Sequence, residues 1–568
     1  MKFESLTSLQ ALQHPKHKRN IFTLILFVSL AILPFLNQRV LRMAGDEKVY
    51  ISQSIEMAQN NTWFQQTLAG EPSYYKGPFH YIFVRVGLYL FGDSLVSGLW
   101  MNWLMSVLIA LLMYFAIESR IRNHESSFLM GLTAALNVGL FSHVFASQME
   151  VELTFFYVLC VFALCYFVKH PKRSMGLYLF WFSAGMAGTI KSPVHSVLLG
   201  ASGLLFWLWW SWSAKVISIR AFLKNKHLYF SILFGVATCI LCYLPILLTD
   251  WTAFYETYLL REQFNKDKNY RAWHYVVTPL LYFTFPLSLY VLSSFTRLLK
   301  IRITNMFKAS DLTGVQIGLA MALPTILFWS LWSYKGQNYN LPTVPVLIFL
   351  AFATYRGYIN TKSLKWVGYA GLLAPVLSWI VIYRFWPLPD WWHSYEVYGY
   401  YAGLLVFGYT FAFLRKPLAL GIGTTAFFIA FGLAIAPLGR RELVDMRNLI
   451  QEHMPKKIYF FDLDSNIWNE WGLMQLALHH KTGVFHLETQ SDDVMQPGHF
   501  LVIKETAELE WTKNKAATLG RPIKNIYTWN RWLTKGKSPT GEIKFLKALR
   551  HLSFSDLERL YYVVVFLC

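Results

Sequence analysis

Apolar runs close to bilayer-spanning length recur along the chain, at residues 21–37, 95–117, 127–146, 153–168, 175–190, 194–212, 228–249, 275–295, 314–333, 341–357, 366–385, 398–414 and 417–437. A spanning helix needs about 20 mostly apolar residues. The pattern therefore predicts a polytopic α-helical membrane protein with about thirteen transmembrane helices. Beyond residue 437 the pattern changes. "KKIYFFDLD", "GHFLVIKE", "IKNIYTW" and "LYYVVVFLC" are short runs rich in β-branched and aromatic residues and predict strands. "NIWNEWGLMQLALHHKTG" predicts a helix stopped by Gly483. Residues 438–568 are accordingly expected to form a separate extramembrane α/β domain.

Composition agrees with a membrane protein. Of the 568 residues 55% are hydrophobic, 15% are charged and 17% are aromatic, and the mean hydropathy is +0.34. A net charge of +20 could suggest a nucleic-acid partner. The distribution of the charge argues otherwise, because it concentrates in alternate connections between the apolar runs. "ESRIRNHES", "VKHPKRS", "KVISIRAFLKNK", "TRLLKIRITNMFKAS", "YRGYINTKSLK" and "RKP" are all basic, as cytoplasmic loops are. The basic segment 1–20 lacks a cleavage site and reads as a cytoplasmic tail. Residues 21–437 form the transmembrane unit, with external loops at 38–94 and 250–274, and the C-terminal domain falls outside the membrane on the far side.

That outer face collects the ionisable residues that loop solvation alone does not explain as a group. Asp46, Glu47, Glu150 and Glu152 fall there, with Lys76, Lys191 and Lys335. Ionisable groups at a membrane border are costly unless solvated or paired, so their convergence marks a candidate site. Cys160, Cys165, Cys239 and Cys242 lie within apolar runs and read as packed thiols, the "CILC" spacing included. No phosphate-gripping glycine loop or HExxH zinc motif occurs, and the Asp-x-Asp of "FDLDSN" lacks the remaining parts of a phosphotransfer site.

The order of these features resembles the GT-C superfamily of lipid-dependent glycosyltransferases, in particular the bacterial aminoarabinose (lipid A) transferase branch related to protein O-mannosyltransferases. "GDEKVYISQSIEM" matches the acidic pair of the first external loop at Asp46 and Glu47, with Lys48 and Tyr50 beyond it. "YYKGPFHYIF" matches the Lys-Pro-Pro motif with Tyr75 and Lys76, Gly77-Pro78 standing for Pro-Pro. "ASQMEVELTFF" places Glu150 at an acidic position of the family and Glu152 where a proline is common. "AGTIKSPVHSVLL" brings Lys191, "WSYKGQNYNLPTVPVL" brings Lys335 and Tyr339, and "LLREQFNKDKNYRAWHY" matches the capping loop, with Arg261 and Arg271. The arginine that follows the acidic pair in the family falls on Val49. The capping-loop histidine with which some members bind a divalent metal falls near Tyr270 or Arg271, with His274 close by. A divalent metal is thus left open, and no other cofactor is implied.

The resemblance implies a GT-C fold in a bacterial inner membrane and sugar transfer from a polyprenyl-phosphate donor to a lipid or protein acceptor, with membrane lipids as the surroundings and no nucleic acid. An acceptor hydroxyl must lose a proton as it attacks the anomeric carbon, so a carboxylate is needed. Asp46 is the candidate base, or the group that orients the acceptor where that is itself a phosphate, with Glu47 and Glu150 as further catalytic candidates. Negative charge develops on the departing lipid phosphate, which fixed cations stabilise. Lys76, Lys191, Lys335, Arg261 and Arg271 are the candidates, and Lys48, Tyr50, Tyr75, Glu152 and Tyr339 are expected to contact substrate. Two rival readings are a transporter or flippase of lipid-linked sugar and a catalytically silent membrane assembly protein. The first calls for two related halves, and no such repeat is evident.

Overall fold

The computed structural model describes residues 15–36, 47–68, 71–92, 95–121, 123–214, 223–264, 272–300, 313–332, 336–356, 361–385, 395–433, 457–461, 483–486, 499–503, 506–521, 523–532 and 558–566. Within them every apolar run is met by a helix or by a broken helix. The chain begins with α1 (Pro15–Leu36), which starts inside the basic tail. Next come α2 (Glu47–Gln59), a small antiparallel pair of strands, β1 (Thr67–Leu68) and β2 (Glu71–Pro72), and α3 (Pro78–Phe91). Then follow α4 (Leu95–Ile121), α5 (His124–Ala135), α6 (Val138–Val144), α7 (Glu150–Lys169), α8 (Met175–Ile190), α9 (Pro193–Ala214) and α10 (Lys226–Thr249). The short α11 (Trp251–Phe254) leads into a π-helical stretch at Tyr255–Phe264. The remaining helices are α12 (His274–Phe283), α13 (Ser288–Lys300), α14 (Thr313–Leu331), a 3-10 turn at Gln337–Thr343, α15 (Val344–Thr354), α16 (Thr361–Phe385), α17 (Tyr395–Tyr409) and α18 (Pro417–Leu433).

Among the described residues six helices are long and apolar enough to cross a bilayer, or up to eight if each of two bent pairs is one span. Two runs expected as simple spans are built differently. The run at 275–295 is α12 and α13, which meet at 117°. Pro286 lies in the break, where a residue without an N–H cannot continue the hydrogen-bond ladder. The run at 341–357 is the 11-residue α15, almost all of it enclosed by other helices. At 1.5 Å per residue it covers about 16 Å, half the hydrocarbon thickness. Its continuous apolar character reflects a buried protein core and not a lipid face. The run at 127–146 is α5 and α6, bent by 52°. Asn137 sits at this break and caps α6, its side chain accepting from the Leu140 amide at 3.0 Å.

The helices pack into one large core that runs from Leu24 on α1 to Phe428 on α18. Contacts link α3 to α4, α4 to α5 and α7, α7 to α8, and α8 to both α9 and α10. Small residues let α8 and α10 approach closely. A Cβ on Gly185 would lie 2.3 Å from the Gly235 carbonyl oxygen, and one on Gly235 would lie 2.4 Å from that of Trp181. The outer side of α10 presents Leu233, Phe234, Ile240, Leu241 and Leu248, all exposed, a surface suited to acyl chains.

In the C-terminal segment β3 (Lys457–Phe461), β4 (Gly483–His486), β5 (His499–Ile503), β6 (Ile523–Trp532) and β7 (Glu558–Phe566) form one sheet in the order β4-β3-β5-β7-β6. β4 and β5 run parallel to β3, whereas β7 is antiparallel to β5 and β6. A helix, α19 (Thr506–Thr518), links β5 to β6. The four expected strands are present, joined by β4. The expected helix between residues 466 and 483 and the "FDLDSN" motif fall outside the described residues, β3 ending at Phe461.

Candidate functional site

The site is built where four helix ends meet. α7 opens with Glu150 and Glu152 in its first turn, where the exposed amides of a helix start favour a carboxylate. Lys191 follows the last residue of α8, where the exposed carbonyls favour a cation. The two are paired, Lys191 Nζ to Glu150 Oε1 at 2.8 Å, and Glu150 is buried. Asn338 donates its side-chain amide to the same carboxylate oxygen from the 3-10 turn. Next to it Tyr339 presents its ring to the Lys191 ammonium, 4.7 Å from the ring centroid. Tyr339 in turn meets Trp329 edge-on at 4.5 Å, and Trp329 lies 5.6 Å from the buried ring of His195. His195 is within 3.2 Å of the Tyr157 hydroxyl.

The Lys76 turn is held against the same place. Gly77 caps α3 with ordinary extended torsions, so its small size answers to space and not to backbone freedom. A Cβ there would lie 2.1 Å from the Thr189 carbonyl oxygen and 3.0 Å from the Tyr243 hydroxyl. This close approach sets the turn that follows Lys76 against Thr189, two residues before Lys191. Lys76 is itself buried, its Nζ 3.8 Å from the centroid of the Tyr75 ring. Pro78 occupies the first helical position, where its missing N–H costs nothing.

The capping segment is tied down at the same point. The Tyr243 hydroxyl donates to the Gly188 carbonyl at 2.9 Å and lies 3.0 Å from the hydroxyl of Tyr258 in the π-helical stretch. Tyr74, two residues before Lys76, donates to Asp250 at 2.7 Å, and its amide donates to Thr257 at 3.1 Å. Burial, followed by the Asp250 carboxylate, pushes the Tyr74 phenol far above its usual range, so it stays a protonated donor.

The expected residues are therefore only partly gathered in view. Glu150, Lys191, Tyr339, Lys76 and Tyr75 stand around this junction. Asp46, Lys335 and Arg271 lie outside the described residues. Glu47 and Lys48 open α2, and Arg261 lies in the π-helical stretch, but only their backbone is described. Two residues expected to touch substrate are placed differently. Tyr50 is buried among Tyr75, His80 and Tyr81, with ring centroids 6.1, 5.2 and 5.8 Å away. Glu152 is buried and paired with His80, Oε1 to Nδ1 at 2.9 Å. These neighbours belong to α2, α3, α7 and the segment just before α3.

Asn338 and His80 were not singled out from the sequence. Both stand in motifs that were, "SYKGQNYN" and "YYKGPFHYIF". Among the described residues, no group of three His, Cys, Asp or Glu side chains with metal-ligand spacing occurs at this junction. His274 is exposed at the start of α12.

Comparison with known proteins agrees with this architecture. A sequence profile of the dolichyl-phosphate-mannose-protein mannosyltransferase family matches residues 20–256. The fold is similar to that of ArnT from Cupriavidus metallidurans bound to undecaprenyl phosphate, with a TM-score of 0.68 at 15% identity, over 95% of this chain and 97% of that one. The apo state of the same protein gives 0.66 at 16% identity, with the same coverage. No curated protein matches the chain by sequence. The chain thus has the fold of these structures, and the mannosyltransferase profile matches its residues 20–256.

Proposed function

We propose that the chain is an inverting glycosyltransferase that moves a sugar from a polyprenyl-phosphate donor to a hydroxyl or phosphate of an envelope glycolipid or protein, on the outer face of the inner membrane. The observation that carries this reading is the contact of Gly77 with Thr189, which sets the Lys76 turn against the helix end bearing Lys191. The turn carrying Lys76 and the helix end carrying Lys191 are thereby held in contact, so both cations can serve one phosphate. Such fixed charge stabilises a departing phosphate more than the ground state. The undecaprenyl phosphate in the similar ArnT structure supports the class of carrier.

In the proposed reaction Asp46 takes the acceptor proton as the acceptor oxygen attacks the anomeric carbon. The bond from that carbon to the phosphate oxygen breaks on the opposite face, and the electron pair leaves with the lipid phosphate. A single displacement inverts the sugar. Lys76 and Lys191, with Lys335, Arg261 and Arg271 of the outer loops, balance the charge on the phosphate. Glu150 and Asn338 hold Lys191 in place. Residues 438–568 lie on the same outer side in this reading.

The test compares envelope glycolipids and glycoproteins by mass spectrometry in cells with wild-type protein, with none and with Asp46→Asn. A sugar-sized mass present only with the wild-type protein is expected. If Asp46→Asn restores that mass in full, the base is elsewhere. If no glycan differs between the first two strains, transfer is the wrong activity.

A further inference from the structure

At the opposite end of α4 from this site lies a second cluster of ionisable side chains. An added Cβ on Gly98 would sit 3.6 Å from Cβ of Ser147, so the start of α4 adjoins the connection leading to Glu150. Glu118 lies near the other end of the same helix, about 30 Å further on at 1.5 Å per residue. There His17 of α1, Glu118 of α4 and His124 of α5 bring one ligand atom each to within 4.8 Å of one another. The two imidazoles stand edge to face, with centroids 4.1 Å apart at 78°. We propose that these three side chains bind a transition-metal dication, zinc by preference, that fastens α1 to the α4–α5 hairpin.

Each residue is prepared for this by its surroundings. His17 is buried, with Nδ1 3.2 Å from the Tyr114 hydroxyl. When Nδ1 donates to that oxygen, Nε2 keeps its lone pair for a metal, the outer arrangement that commonly orients a ligating histidine. His124 opens α5 and its Nδ1 is buried without a hydrogen-bond partner. The first amides of α5 do not occupy it, because the Asn123 side chain accepts from Glu125 and Ser126, both at 3.1 Å. A buried ring nitrogen without a partner is costly, and a metal bond removes that cost.

Donor type selects the metal. Magnesium and calcium need several oxygen donors, whereas two imidazoles and one carboxylate suit zinc. With bonds of about 2.0–2.1 Å, donor atoms in a tetrahedral shell stand about 3.4 Å apart. The three atoms lie within 4.8 Å of one another, so metal binding would draw them together to that spacing. Water or another ligand would complete the shell.

The test uses the full chain, purified in detergent without a polyhistidine tag, stripped with chelator, exposed to zinc or magnesium, and desalted. About one zinc per chain, and no magnesium, should be retained by the wild type. His124→Ala and Glu118→Gln should each lower retained zinc at least tenfold while leaving the elution profile of a folded chain. Cobalt in place of zinc should give visible ligand-field absorption in the wild type alone. Zinc retained equally by wild type and both variants, or not retained by the folded wild type, would overturn the proposal. A thermal shift with zinc present in the wild type and absent in His124→Ala would confirm that the metal fastens the helices.

Discussion

Lys191 Nζ lies 2.8 Å from Glu150 Oε1, a buried ion pair that joins the C-terminal end of α8 to the N-terminal end of α7. Removing one partner strands the other. Glu150→Gln or Lys191→Met alone should each cost about 3–5 kcal/mol in thermal or denaturant unfolding. The double variant Glu150→Gln, Lys191→Met should regain most of that stability. Transfer should stay at least tenfold down in both variants that replace Lys191, because the donor phosphate has lost a cation. Recovery of transfer in the double variant would reduce the pair to a folding element.

His80 and Glu152 make a second buried pair, 2.9 Å apart, between α3 and α7. Glu152→Gln keeps the hydrogen bond to His80 and should leave transfer per folded molecule within about threefold. His80→Ala leaves a buried carboxylate uncompensated and should lower stability by about 3–5 kcal/mol. The outcome that reverses this assignment is a large rise in KM for Glu152→Gln at unchanged stability, which would mean that Glu152 touches substrate.

Gly77→Ala tests the contact that brings the cations together. The new methyl would meet the Thr189 carbonyl at 2.1 Å, so one backbone must move. Overpacking of this kind costs about 1–3 kcal/mol. The displaced Lys76 should lower turnover by about tenfold or more even after correction for folded protein. An alanine variant with normal turnover would show that the two segments need not touch.

How far the sequence leads differs between parts of the molecule. Hydropathy finds the apolar helices of the membrane unit, because a bilayer dictates the length of an apolar run, but not α2 and α3, which lie in the stretch 38–94 expected as an external loop. It does not separate a lipid-facing run from one enclosed by protein, and α15 was expected as a span for that reason. The charge alternation sorts the connections into two sets, and the residues at the ends of α3, α7 and α8 then fall in one of them. Glu150 and Glu152 illustrate what remains hidden. Two residues apart on a helix, they project about 200° from one another, so they cannot share a face. One meets Lys191 and the other His80, and only the packing of α7 between α8 and α3 decides which is which. β4 is four residues long and carries little signal of its own. It is visible only through its parallel pairing with β3.

Lys76 offers the sharpest test of the proposed chemistry. A lysine that merely reaches the membrane border could be replaced by any long cation. Here the side chain is buried, its ammonium rests on Tyr75, and the turn is fixed by Gly77 and Pro78, the two residues that follow. Charge-assisted hydrogen bonds to an ionised phosphate contribute about 1.5–3 kcal/mol. Lys76→Ala should therefore lower transfer about ten- to a hundredfold. Lys76→Arg should restore only part of it, since a planar fork needs more room and aims its donors differently from an ammonium. The two variants are compared by transfer per folded molecule, with binding of polyprenyl phosphate measured alongside. Loss of both together places the ammonium on the phosphate. Full transfer in Lys76→Ala, or equal activity of the arginine and lysine forms, would show instead that Lys76 is a border residue and that the phosphate is held by other cations.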